Sequence, residues 1–217
     1  CHHRQKSNQC RQINKPASFW LTLSASMRPM LMKVIVSLLM AAMVTAGCGK
    51  GYEEHLKTGM DLRRAQKWGE AKHALFAAAE KKATPEVYKE LGNVFLLGEQ
   101  NIAEAEGYYK KALALDAGYI NAQFNMGVLS LKKYEFTLDD KGKGDEPLLD
   151  EANRWFKMVY DQNPNFSIGI EEMAKYHYYR HDYKQALETA QKAVAVDNRN
   201  ANAYSVIGQI YFSGLKD

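Results

Sequence analysis

The fold is decided by two stretches that follow one pattern, AEAEGYYKKALALD at 103–116 and YKQALETAQKAVAVD at 183–197. Each places alanines along one side of a predicted helix, where a second helix can approach closely. Alanines at the same place occur twice more, and the four are separated by 34, 47 and 34 residues. These anchor alanines are Ala71, Ala105, Ala152 and Ala186. A period of about 34 residues predicts a helical unit that stacks on its neighbours, since one unit cannot bury its apolar face alone.

A second series of small residues precedes the anchor alanines, with spacings of 33, 35, 47 and 34 residues. It consists of Gly59, Gly92, Gly127, Ala174 and Gly208. Four positions after the anchors come Leu75, Tyr109, Phe156 and Ala190. The two series predict a pair of helices in each unit, a first helix A and a second helix B. We expect A and B to approach closely at the small residues, with large side chains filling the gaps between them.

These residues resemble the tetratricopeptide repeat (TPR), a 34-residue helix–turn–helix unit. The clearest matches are Tyr88-x2-Leu91-Gly92-x2-Phe95 for helix A and Ala152-x3-Phe156 running to Pro164 for helix B. The resemblance covers about 52–213. It implies an all-α solenoid, a right-handed superhelix of four full repeats plus one half repeat, within a domain at 52–217. Proteins of this family bind other proteins or peptides in the concave groove.

The pattern predicts nine helices and one insertion. The helices are expected at about 51–65, 69–82, 85–98, 102–115, 119–133, 148–161, 167–180, 184–197 and 201–213. The spacing of 47 is 13 longer than the period, and both series locate the extra residues between Gly127 and Ala152. The polar stretch EFTLDDKGKGDEP at about 135–147 is therefore predicted to be a surface loop. The array ends on a single helix A, so we expect either that this helix caps the array alone or that the chain continues past Asp217.

The residues before the repeats are typical of a secretory signal. Residues 27–47 begin with basic side chains, continue with an apolar run at 34–46 and end in small residues. That run is shorter than the roughly 20 apolar residues that a membrane-spanning helix needs. Residues 1–26 begin with Cys1 rather than Met and have no period. We interpret them as sequence upstream of the true start, which would be Met27, Met30 or Met32, or as an N-terminal extension.

The end of this signal, Thr45-Ala46-Gly47-Cys48, resembles the lipobox of bacterial lipoproteins. The resemblance implies that Cys48 carries a diacylglyceryl group, that 48–51 is a tether, and that the lipid attaches the protein to a membrane. In that family an Asp after the cysteine favours retention in the inner membrane. Gly49 stands there instead, which favours the outer membrane facing the periplasm. An ordinary cleaved signal is the alternative.

Charge and motif content exclude several functions. Residues 1–47 hold six basic and no acidic residues, so 48–217 carries 23 basic and 25 acidic ones. This balance disfavours a nucleic-acid partner. We find no constellation for catalysis, no cofactor motif and no metal-ligand set, and predict that the protein is not an enzyme. His177 and His181 are expected to pack and to form a turn. The pair Glu171–Glu172 is interpreted as part of a solvated face.

The resemblance also implies which side chains of the A helices face the groove. The predicted groove residues are Lys89, Asn93, Leu96, Leu97, Asn121, Phe124, Val128, Leu131, Lys132, Glu171, Lys175, Tyr178 and Tyr179. An apolar centre with charged flanks suits an extended peptide or an amphipathic helix.

The favoured function is an exported, lipid-anchored scaffold for protein–protein interaction that aids assembly of an envelope complex. Two alternatives remain. The chain is the N-terminal part of a longer TPR protein with its activity beyond Asp217, or it binds a glycan or small ligand through a tyrosine cluster. That cluster comprises Tyr176, Tyr178, Tyr179 and Tyr183.

Overall fold

The computed structural model describes residues 51–140 and 142–213, and these residues form nine α-helices and no strands. The helices are α1 (Tyr52–Arg64), α2 (Trp68–Lys81), α3 (Pro85–Leu97), α4 (Ile102–Leu115), α5 (Ile120–Glu135), α6 (Glu146–Gln162), α7 (Ser167–Tyr179), α8 (Tyr183–Val196) and α9 (Ala201–Ser213). Each bound lies within two residues of the predicted one. The odd-numbered elements are the A helices and the even-numbered ones are the B helices.

Local side chains fix where several helices begin. The Thr84 hydroxyl accepts a hydrogen bond from the backbone N–H of Val87 at 3.2 Å, and Pro85 follows as the first helical residue. The side chains of Asn101 and Asp182 cap α4 and α8 in the same way. These caps satisfy backbone donors that a helix start leaves without a partner.

In each of the four full repeats the A helix packs chiefly against the B helix of the same repeat, and the next repeat stacks on that pair; α9 packs chiefly on α8. The small residues lie where the two helices meet. A Cβ atom added to Gly59 would lie 2.6 Å from Cγ of Leu75, and one added to Gly127 would lie 2.5 Å from Cε1 of Phe156. Gly92 faces Tyr109 in the same manner. The predicted pairing of small with large residues is therefore confirmed in three repeats.

The fourth repeat reaches the same packing with different side chains. Ala174 replaces the glycine, and Ala190 replaces the large partner; both are fully buried in one apolar cluster. The last helix differs again, because a Cβ at Gly208 would meet nothing within 4 Å.

The insertion is shared between two longer helices and a short loop. Helix α5 has 16 residues and α6 has 17, whereas the other helices have 13 or 14. The loop between them packs on α5, since a Cβ at Gly144 would lie 2.7 Å from the ring of Tyr134. The Thr137 hydroxyl accepts a hydrogen bond from the backbone N–H of Asp145 at 2.8 Å.

The predicted signal at 27–47, the lipid attachment at Cys48 and the segment at 1–26 lie outside the described residues. Within the described ranges, none of the helices combines the length and the apolar character needed to cross a bilayer.

Candidate functional site

The structure places ten of the thirteen predicted groove residues at the surface of the A helices, exposed or half-buried. These accessible groove residues are Lys89, Asn93, Leu97, Asn121, Phe124, Val128, Lys132, Lys175, Tyr178 and Tyr179. The other three, Leu96, Leu131 and Glu171, are buried and contribute to the stack itself. They lie in the protein interior and are not available for direct contact with a partner.

A buried carboxylate marks the start of this surface. Glu90 is 1% exposed, and its Oε2 lies 2.6 Å from Nε of Arg63 on the preceding A helix. Lys89 pairs with the other oxygen of the same carboxylate. Two cations thus surround one carboxylate, and Lys89 is oriented by this contact rather than extended freely into solvent.

Asparagine side chains join α3 to α5 at the middle of the surface. Oδ1 of Asn93 accepts hydrogen bonds from the Tyr109 hydroxyl and from Nδ2 of Asn125, each at 2.9 Å. Burial raises the pKa of Tyr109, so its hydroxyl stays protonated and acts as the donor. Asn93 therefore serves as a structural acceptor that links three helices.

The apolar centre of the surface belongs to α5. Phe124 and Val128 are half-buried and pack on the cluster that contains Phe156. The Phe124 ring stands edge-on to Phe166 with their centroids 5.2 Å apart. Lys132, one turn after Val128, lies over the ring of Phe136 at 5.9 Å. Phe124 and Val128 thus form an apolar strip that is held by packing on its inner side, and Lys132 lies at one end of it.

The pair Glu171–Glu172 is buried, which corrects the expectation of a solvated face. Both carboxylates lie 2.9 Å from Nζ of Lys175, and Glu171 is 0% exposed. Desolvation raises the pKa of Glu172 above its usual value. Burial lowers the pKa of Lys175, but the two carboxylates outweigh it and the net shift is upward. Here one cation is shared by two buried carboxylates, the inverse of the arrangement at Glu90.

The tyrosines at the end of α7 are occupied by contacts with one another. The Tyr179 hydroxyl donates to Oε1 of Glu135 at 2.8 Å, and its ring meets Tyr134 edge-on at 5.3 Å. Tyr178 packs edge-on against Tyr179 and Tyr183. The rings in these contacts are held at 61° to 68° to one another rather than in one plane.

The two histidines have separate roles. His181 adopts a left-handed backbone conformation with φ 58° in the turn before α8, and its Nδ1 lies 2.8 Å from the Tyr183 hydroxyl. His177 is half-buried on α7, and burial lowers its pKa. Among the described residues, no group of three or more His, Cys, Asp or Glu side chains is arranged to hold a metal ion.

One feature of this face lies outside the thirteen predicted residues. A pocket of about 240 Å³ is lined by α1 and by Glu86 of α3, and it includes Leu56, Met60 and Arg64. Counting the groove positions in the first repeat identifies the same three residues from the sequence. The face with accessible side chains therefore extends from α1 to α7.

Comparison with known proteins identifies this fold. The tetratricopeptide repeat family model matches residues 56–120 and 172–214. Residues 56–120 and 172–214 are therefore tetratricopeptide repeats, and the described residues have the all-α fold of that family, as the sequence predicted. No curated protein matches the chain.

Several solved structures share the fold at low sequence identity. The TPR protein TTC0263 of Thermus thermophilus is 16% identical, with a TM-score of 0.65 over 75% of this chain and 82% of its own. Pseudomonas aeruginosa pilF is 17% identical, with a TM-score of 0.62 over 74% of this chain and 68% of its own. YrrB, described as a TPR protein with an unusual peptide-binding site, is 21% identical, with a TM-score of 0.53 over 71% and 73%.

Proposed function

We propose that the chain is a non-enzymatic scaffold that binds a polypeptide along its A helices. We also propose that a lipid on Cys48 tethers it to a membrane of the bacterial cell envelope. Assembly of an envelope complex is the role that this combination would serve. The lipid tether and the location rest on the lipobox-like sequence before the repeats. The binding role rests on the accessible groove residues.

The binding role is supported chiefly by the arrangement of charged and apolar side chains along α3, α5 and α7. The apolar strip of Phe124 and Val128 lies on the helix between those that carry Lys89 and Lys175. An amphipathic segment would bury its apolar side chains on the strip and place polar ones over the two lysines. The kinship in fold with YrrB, which has a peptide-binding site, agrees with this use of the scaffold.

Photo-crosslinking in the source cells tests the binding role. A photoreactive residue replaces Asn121, which is exposed on α5, or Lys157, which is exposed on α6 among the B helices. We expect a protein adduct from position 121 and none from position 157. With the probe at 121, Lys132→Glu should reduce the adduct, whereas Lys157→Glu should leave it unchanged. Equal adducts from both positions would refute binding on the A helices.

The intact mass of the protein, extracted with detergent, tests the tether. We expect a mass that begins at Cys48 and includes a diacylglyceryl and an acyl group, since stable attachment needs more than one chain. Cys48→Ser should move the protein to the aqueous phase after detergent partitioning. A mass that begins after Gly47 without lipid would contradict the tether. A mass larger than that of lipidated 48–217 by the mass of further residues would show that the chain continues past Asp217, and a further activity would then be sought in those residues.

A further inference from the structure

A second pocket lies away from the groove residues, between the B helices α6 and α8 and above α7. Its volume is about 310 Å³. Ile170, Met173 and His177 of α7 line it, together with Tyr160 of α6 and with Thr189 and Lys192 of α8. This volume is at the lower end of the range for ligand sites, so the pocket holds one compact group rather than a length of peptide.

In the second repeat, the position that corresponds to this pocket is filled by an aromatic side chain. Tyr108, three residues after its anchor alanine, stacks on Phe95 with the ring centroids 5.1 Å apart and the planes 7° from parallel. It also contacts the rings of Phe76 and Tyr88. Nζ of Lys111 lies 4.5 Å from the centroid of Tyr108. A ring under a cation thus occupies the junction of the first and second repeats.

The fourth repeat has no Tyr, Phe or Trp side chain at the corresponding positions. Thr189 stands three residues after its anchor, where the second repeat has Tyr108 and the third has Trp155. His177 and Ile170 correspond to Phe95 and Tyr88. Three of the side chains that line the pocket therefore stand at positions where the second repeat has rings. The ring of Tyr160 takes the place of Ala79, but it forms a wall and leaves the pocket open.

The cation of this arrangement is retained. Lys192 corresponds to Lys111, since each follows its anchor alanine by six residues, and Lys192 lines the pocket. An ammonium group attracts the face of an aromatic ring. The fourth repeat thus keeps the lysine that would face an aromatic ring, but it has Thr189 where the second repeat has the ring of Tyr108.

We infer that this pocket is a binding site for an aromatic side chain, tyrosine or phenylalanine, of a partner polypeptide. The pocket opens to solvent past exposed residues such as Gln185 and Glu188, which suits a side chain as the occupant, and the p-cresol probe below tests a free aromatic compound. A ring held there has an outward path for the chain that carries it. The site is distinct from the accessible groove residues, none of which lines it.

Methyl NMR of the full chain with labelled Met and Ile tests this inference. The probes are the capped tripeptides Gly-Tyr-Gly and Gly-Leu-Gly, and p-cresol as a free ring. We expect the Tyr tripeptide to shift the Met173 and Ile170 methyl signals saturably through ring currents, with a dissociation constant at least tenfold lower than that of the Leu tripeptide. Saturable binding of p-cresol without binding of the Tyr tripeptide would overturn the assignment to a side chain.

Two variants separate this site from nonspecific contact. Thr189→Tyr inserts the ring that the second repeat has and should weaken binding of the Tyr tripeptide at least tenfold, whereas Thr189→Ser should leave it unchanged. Lys192→Met alters an exposed side chain and should weaken binding about two- to fivefold through loss of the cation. Methyl shifts that persist in Thr189→Tyr, or equal binding of the Tyr and Leu tripeptides, would refute the inference. If Thr189→Tyr does not fold, unchanged binding in Lys192→Met refutes it instead.

Discussion

Replacing Gly127 by alanine should destabilise the array, although the same substitution stabilises an ordinary helix. The added Cβ would lie 2.5 Å from Cε1 and 2.7 Å from Cδ1 of Phe156. Ordinary contact begins at 3.4 Å, so the ring has to move by almost 1 Å. Phe156 is fully buried within a cluster that includes Leu131 and Leu149, and this cluster resists such a movement.

The magnitude follows from two opposing effects. Alanine in place of glycine stabilises a helix interior by about 1 kcal/mol. Overpacking a tight core costs about 1–3 kcal/mol, and the full burial of Phe156 puts this site at the upper end. We therefore expect Gly127→Ala to lower the free energy of unfolding by about 1–2 kcal/mol. The melting temperature of a unit of this size should fall by about 2–8 °C.

Gly107 provides the matched control. It lies on the exposed side of α4, and a Cβ added there would meet nothing within 4 Å. Gly107→Ala should therefore raise the free energy of unfolding by up to about 1 kcal/mol. Urea unfolding followed by far-UV circular dichroism measures both variants, and an unchanged dependence on urea shows that the folded states are comparable.

The fourth repeat suggests a compensating change. Its Ala174 and Ala190 show that two alanines are accommodated at the positions held by Gly127 and Phe156. In a Phe156→Ala background, Gly127→Ala should lose its penalty, which gives a coupling energy of about 2 kcal/mol or more in a double-mutant cycle. If Gly127→Ala is as stable as Gly107→Ala, close packing at the glycine does not determine the approach of helices A and B.

Three further predictions concern the buried polar groups. Lys175→Met leaves Glu171 without an ion partner and should cost about 3–5 kcal/mol in urea unfolding; wild-type stability would contradict this pairing. Burial raises the pKa of Glu172 above 4.5, so its contribution to stability is present below that pH and is lost as the pH rises through the folded-state pKa. The melting temperature of Glu172→Gln minus that of wild type should thus be larger at pH 7 than at pH 4. A larger difference at pH 4 would refute the upward shift of the Glu172 pKa. Asn93→Ala leaves the Tyr109 hydroxyl without its acceptor and should cost about 1–3 kcal/mol by urea unfolding, and a loss below about 0.5 kcal/mol would contradict the bond.

The helices were predictable because the small residues recur with a fixed spacing. A Cβ added to Gly59, Gly92 or Gly127 would lie less than 3 Å from a side chain of helix B, so the close approach of the helices favours small residues at a fixed spacing. The insertion was located by the same spacing. The end of α5 and the start of α6 were less predictable, since the two further helical residues at each depend on tertiary contacts such as the loop packing on Tyr134.

The depth of the groove residues was not predictable from position counting. A position in a repeat gives the direction of a side chain, whereas burial depends on the size of its neighbours on adjacent helices. Leu96 and Leu131 are buried by their neighbours, and Glu171 is buried while its partner Lys175 remains partly exposed. The sequence gives one indication of the pocket between α6, α7 and α8, because Thr189 stands where the second and third repeats have aromatic residues. The size of that pocket could not be predicted, because Tyr160 of the neighbouring repeat forms one of its walls.

Hydroxyl-radical footprinting of the full chain, with and without the polypeptide that cross-links at position 121, tests the central claim most directly. This method reports the exposure of individual side chains. Leu97 is 56% exposed among the A helices, and Met158 is 45% exposed among the B helices. We predict that the bound polypeptide slows oxidation of Leu97 and Tyr178 severalfold and leaves Met158 unchanged. Protection of Met158 with unchanged Leu97 and Tyr178 would contradict binding along the A helices.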